Sequence, residues 1–236
     1  MKKSMNYGIL SPVFLVLGVA AMFVRRWLFT RVEDHVAYLL PRLTLPEIIL
    51  WVLTAAAIVG AFTLTRKTTL TSASTLSAVT GDVLLAGGIL LLFFEEVTGP
   101  SALVLLYRVF CGLSIASLLA TALLTGTHKK VPFLLHLSPC ILMVLQLLIC
   151  YQLWSEVPQL MNYVLGLGAV LCLALAGYFR LARAAGLPDK SWYHAIGLLG
   201  VYFCAGAAGQ GTFSLFFTTA AIWLAYTYAG LRPAEA

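Results

Sequence analysis

Charge is what this sequence has least of. Asp, Glu, Lys and Arg together make up 10% of its 236 residues, against about 25% in a soluble globular domain. That shortage excludes an ordinary water-facing surface. The ten-residue apolar–polar alternation of a membrane β-barrel is missing too. The five cysteines, Cys111, Cys140, Cys150, Cys172 and Cys204, are odd in number and none belongs to a CxxC pair. They offer neither a disulfide framework nor a metal site, and read as small, polarisable core residues. HExxH and GxSxG are absent, and with them the signatures of zinc and serine hydrolases. No internal repeat is visible, nor the matched pair of interrupted segments expected of an inverted-repeat transporter.

What is present is hydrocarbon. Hydrophobic residues are 61% of the chain, the mean hydropathy is +0.95, and the apolar residues fall in runs long enough to cross a bilayer. Eight segments can be marked: 8–24, 46–65, 76–94, 101–125, 132–153, 158–179, 192–208 and 212–229. The expected fold is an all-α integral membrane protein. It is a polytopic bundle of about eight transmembrane helices forming a single domain over residues 1–236. Met1-Lys2-Lys3 before an apolar run resembles a signal peptide. However, that run ends in Phe23-Val24-Arg25-Arg26-Trp27, not in a small-x-small site, so a retained span is expected.

The basic residues set the orientation. With the N-terminus inside, ten Lys and Arg fall in inner loops and four in outer ones, Arg25, Arg26, Arg31 and Arg42. The positive-inside rule then puts both termini in the cytoplasm, in a plasma (cytoplasmic) membrane. Three acids, Asp82, Asp189 and Glu235, lie inside, so the whole net charge of +6 is cytoplasmic. The basic pI of 9.2 is therefore a topology signal, and no nucleic-acid partner is expected. The lipid bilayer is the partner that composition implies.

Local chemistry adds detail. Leu28, Val32, Val36 and Leu39 fall on one helical stripe between the first two spans, which fits a short interfacial amphipathic helix after the first span; a plain connector is the alternative. Thr44 and Glu47 have capping-box spacing ahead of the second span. From Val83 to Phe94 there are too few apolar residues to cross, so the third helix is predicted to start near Thr75 to Ser77, which draws Asp82 into the membrane. Gly87-Gly88 in that span permits close packing or a kink. Pro139 interrupts the fifth segment and deprives the Leu135 carbonyl of its helical partner. Gly166, Gly168, Cys172, Ala176 and Gly177 give the sixth segment a path for close helix approach. The small residues from Cys204 to Gly211 mean either very close packing or unwound backbone.

Two groups of polar residues could carry chemistry. At the outer rim are Arg108, Glu95, Glu96 and Gln210, candidates for a ligand site or an ion pair. Side chains lean toward a helix N-terminus, so Arg108 should lean outward. An ion pair with Glu95 or Glu96 is the first expectation, with an anion site or snorkelling to headgroups as alternatives. At the inner side are Asp82 and His136. Asp82 either caps or binds the Thr/Ser-rich loop from Thr68 to Ser77, or pairs with His136, His128, Lys129 or Lys130; with His136 it has the material of a proton relay. No catalytic residue, cofactor or metal site is indicated. Three functions are open: small-solute or ion binding and transport through an outward-facing polar site, with a small anionic solute as partner; a non-catalytic scaffold or regulatory subunit packed against a membrane-protein partner; and an intramembrane lipid-modifying enzyme.

Overall fold

The computed structural model describes residues 7–32, 45–66, 70–73, 75–97, 100–127, 129–155, 164–187, 191–209 and 213–233. Eight α-helices are described: α1 Tyr7–Val32, α2 Leu45–Thr65, α3 Thr75–Phe94, α4 Ser101–Gly126, α5 Leu137–Ser155, α6 Val164–Ala184, α7 Ser191–Ala207 and α8 Ser214–Ala229. Six stretches, Gly8–Leu28, Leu45–Thr65, Thr75–Phe94, Ser101–Gly126, Phe133–Gln152 and Val164–Ala184, are long and apolar enough to cross a membrane. The chain is a multi-pass helical membrane protein. α7 and α8, with 17 and 16 residues, fall short of the roughly 20 residues that a hydrocarbon core needs.

The distribution of side chains follows the bilayer. On α2 the inward residues are Thr54, Ala57, Ala61 and Thr65, while Trp51, Val52, Ile58, Val59 and Phe62 are exposed. Small and hydroxyl-bearing groups face in and large apolar groups face out. That arrangement is stable only where the surroundings are hydrocarbon, because helix association there is driven by close packing and hydrogen bonds. α4 repeats it, with Tyr107, Cys111, Ser114, Ser117 and Thr121 turned inward.

Helices α3, α4, α5, α6, α7 and α8 each pack on the next, and α8 returns to α3, closing a six-helix ring. α1 and α2 lean on α7 from outside the ring. All of α7 except Ser191, Trp192 and Ile196 is buried. The run Cys204 to Ala207 stays helical, so its small residues serve close packing; a Cβ on Gly206 would meet Leu165 at 3.1 Å. α3 is likewise unbroken through Gly87-Gly88. Gly88 lies against Thr219 and Phe216 of α8, while Gly87 faces open space. α6 uses its small residues as expected: Gly168 abuts Phe203, and Gly177 abuts the Cys140 backbone at 3.4 Å. All five cysteines are free, and all but Cys140 are buried.

Three expectations need correction. Residues 28–32 continue α1 without a break, so they do not start a separate interfacial helix. No proline or glycine stands between Trp27 and Val32, and extending a helix costs less than nucleating a new one. Residues 33–44, including Thr44 of the capping box, lie outside the described residues. The second correction concerns the loop before α3, expected to be a Thr/Ser-rich connector. Leu70–Ala73 (β1) pairs antiparallel with Leu231–Pro233 (β2), in an irregular register between Leu70↔Pro233 and Ala73↔Leu231. Third, Pro139 does not interrupt α5. A 3₁₀ turn, Phe133–His136, precedes α5 and leaves Pro139 in its first turn, where a missing N–H costs little.

The freed Leu135 carbonyl does find a donor. The Ser117 hydroxyl of α4 hydrogen-bonds it. Ser117→Ala is therefore expected to destabilise the fold by about 1 kcal/mol, the cost of a part-buried acceptor losing its donor. Thermal unfolding of the purified protein checks this, and an unchanged midpoint would remove the role given to Ser117.

Candidate functional site

Asp82 lies on the inward face of α3 with Ser77, Gly81, Leu85, Ile89 and Leu92, a repeat of three and four residues. It is 2% exposed. Its Oδ1 accepts from the Arg180 guanidinium at 2.6 Å. Its Oδ2 is buried and receives no hydrogen bond from the described residues. α3 packs on α4 and α8 and α6 on α5 and α7, so this ion pair crosses the interior of the ring.

Arg180 sits in the last two turns of α6, which ends at Ala184, and Gly186 at φ 83° turns the chain just past it. Helical side chains lean toward the N-terminus, so this arginine leans back into the bundle and not out to the loop. The guanidinium carbon lies 5.7 Å from the centre of the Trp223 ring, within the range of a cation–π contact. Trp223 comes from α8, and Gly81 makes room for it: a Cβ there would stand 3.1 Å from Trp223 and 3.0 Å from the Thr227 hydroxyl.

A cleft of about 10 Å³ opens at the same level. It is lined by Leu85, Leu118, His136, Met143, Arg180 and Trp223, from α3, α4, the 3₁₀ turn, α5, α6 and α8. That is room for about one water. The expected pairing of Asp82 with His136 is not formed: Asp82 is paired with Arg180, and Arg180 and His136 both line the cleft. His128 lies outside the described residues, and Lys129 and Lys130 are exposed.

Polar groups continue along α4 and α5. Ser138 donates to Ser114 at 3.4 Å. Tyr107 donates to the Gln146 amide oxygen at 2.5 Å, and the Gln146 amide nitrogen reaches Cys150 at 3.3 Å. Tyr107 and Gln146 are fully buried. From Tyr107 to Leu118, at the cleft, is about 16 Å along the helix at 1.5 Å per residue.

The outer candidates are not brought together. Arg108 is exposed on α4 among Leu105, Val109 and Leu113, and among the described residues it forms no ion pair with Glu95 or Glu96. The reason is register: Tyr107 and Cys111 take the inward face, and Arg108, one residue round, faces outward. Glu96 is exposed; Glu95 is partly buried, which raises its pKa above the usual carboxylate value. Gln210 lies outside the described residues.

Arg180, Tyr107 and Gln146 were not legible as site residues. Arg180 falls just past an apolar run and reads as a loop cation; the lean of helical side chains, together with a carboxylate needing a partner at that depth, was the available signal. Gln146 was visible as one of two amides in the fifth segment, the other being Gln152 near its end. Among the described residues no three of His, Cys, Asp and Glu gather to hold a metal ion. The chemistry on offer is that of a guanidinium and an imidazole at a water-sized space, with a carboxylate bound to the guanidinium. Compared with family models, with curated proteins and with solved structures, the chain matches none.

Proposed function

We propose that the chain is an eight-span protein of the plasma membrane, both termini cytoplasmic, that handles a small ion, the proton, at Asp82. The observation that carries this reading is the Asp82–Arg180 pair crossing the ring, with one carboxylate oxygen that has no partner among the described residues. Ionisable groups at such depth are costly and are by default functional. Protonation would remove the charge that holds Arg180 and so loosen α3 from α6. The hydroxyl and amide groups from Tyr107 to Ser117 supply donors and acceptors for waters along the ring. The short α7 and α8 count as spans because α7 is surrounded by other helices and need not meet lipid along its length.

Proteoliposomes loaded with a pH-sensitive dye test this. Under an imposed pH gradient the wild-type protein is expected to speed dissipation over protein-free vesicles. Asp82→Asn should lower that rate at least about ten-fold, the effect of losing a positioned proton acceptor, and Arg108→Gln should leave it unchanged. Wild-type vesicles no faster than protein-free ones would overturn the reading. An Arg108→Gln loss equal to that of Asp82→Asn would return the site to the outer rim, where a small anionic solute was the expected ligand.

The small volume of the central cleft favours a second reading, a scaffold or regulatory subunit whose interior is solid. It predicts no flux and a membrane-protein partner retained through purification.

A further inference from the structure

A second polar cleft opens beside the first, between α6 and α8. Both helices pack on α7 and hardly touch each other, so a gap is left between them. Its volume is about 40 Å³, and its walls include Phe179, Arg180, Arg183, Leu224, Thr227 and Tyr228. It lies where α6 and α8 both end, at Ala184 and Ala229.

Three features point to one ligand chemistry. Two guanidiniums, those of Arg180 and Arg183, border the same small space. Asp82 engages one terminal nitrogen of Arg180, and a guanidinium carries five N–H donors, so donors remain. The third feature is Thr227. Thr54, Thr65, Thr80, Thr121 and Thr218 all donate to the carbonyl four residues earlier in their own helices. The Thr227 hydroxyl is buried and makes no such bond. A hydroxyl and two guanidiniums converging on a space of a few waters suit a tetrahedral oxyanion. Asp82 and the two helix C-termini offset part of the positive charge, so recognition depends on directed hydrogen bonds more than on net field.

We infer that this cleft binds the phosphate of an anionic phospholipid headgroup. A lipid is favoured over free phosphate because the cleft lies at the ends of two membrane helices and the apolar Phe179 and Leu224 stand in its walls beside the guanidiniums, a surface for the carbons next to a headgroup phosphate. Basic pockets between membrane helices at the cytoplasmic headgroup level serve this purpose. The site shares Arg180 with the proton reading but does not rest on it, since lipid binding is measurable in a protein that moves no proton.

The test uses the full chain, purified in a neutral detergent and titrated with phosphatidylglycerol, phosphatidylcholine or inorganic phosphate while thermal unfolding and native mass spectra are recorded. Phosphatidylglycerol is expected to stabilise the protein and remain bound, and phosphatidylcholine is not. Arg183→Gln and Thr227→Val should each weaken phosphatidylglycerol binding about ten-fold, the effect of losing a charge-assisted or buried hydrogen bond. Lys130→Gln, at the same end of the bundle but outside the cleft, should not. Equal loss in Lys130→Gln would reduce the effect to general surface charge and overturn the site. Stabilisation by inorganic phosphate equal to that by lipid would overturn the lipid assignment, and so would equal retention of phosphatidylcholine. Because both cleft variants lie outside the Asp82–Arg180 contact, failure here leaves the proton measurements unaffected.

Discussion

Arg180→Gln is expected to be the most damaging single change in the protein. It leaves the Asp82 carboxylate, 2% exposed, with neither oxygen paired to a cation. Removing one partner of a buried ion pair costs about 3–5 kcal/mol, because the remaining charge keeps its desolvation penalty and loses its attraction. The pair itself is a weak source of stability, since burying Asp82 fully and Arg180 in large part (27% exposed) consumes most of their mutual attraction. The double variant Asp82→Asn/Arg180→Gln should therefore recover most of the loss, an amide facing an amide in place of an orphaned charge. Thermal or denaturant unfolding of the four proteins in one detergent closes the double-mutant cycle. Additive losses in the double variant would show that the two side chains are not coupled, and the geometry of the site would have to be abandoned.

Gly18→Ala should cost nearly as much, for a reason that involves no charge. A Cβ at position 18 would stand 2.5 Å from the Tyr202 carbonyl oxygen and 2.6 Å from the Ala205 Cβ. One of these is backbone and the other is attached to it, so no side-chain rotation relieves the clash and α1 must move off α7. Overpacking of this kind costs about 1–3 kcal/mol and sometimes more. Tyr202 also holds Thr54 of α2 at 2.9 Å, so a shift of α7 would be felt at a second helix. Gly87→Ala is the control. Nothing lies within 4 Å of its Cβ, and alanine is the better helix former by about 1 kcal/mol, so that variant should be neutral or slightly more stable. If both alanines shift the unfolding midpoint alike, the contact between α1 and α7 is not as close as described.

The two glycines show where sequence reading stops. Gly18 and Gly87 both sit in apolar runs, and nothing in either neighbourhood says which one meets another backbone. The same holds for the arginines. Arg108 stands inside an apolar run and Arg180 at the end of one, so position in the chain favours Arg108 as the intramembrane charge. The register of α4 turns Arg108 outward, while the lean of α6 draws Arg180 inward. The third span shows the opposite case. Twelve apolar residues cannot cross a bilayer, so a start near Thr75 followed from length alone, and α3 begins at Thr75. The orphaned Leu135 carbonyl could likewise be read from Pro139, but its donor, Ser117, lies 18 residues away on another helix, and no local rule reaches that far.

Composition by itself determined that this is a multi-pass helical membrane protein, because so little charge and such long apolar runs are stable only in lipid. It determined also that Asp82 is drawn into the membrane, because a helix must be long enough to cross. Only the tertiary structure decided what Asp82 meets. Which helices close the ring, and which face of each turns inward, depends on small residues fitting against distant backbone. That packing is specified by pairs of positions far apart in the chain, and it is what sets Arg180, and not a nearer cation, against the carboxylate.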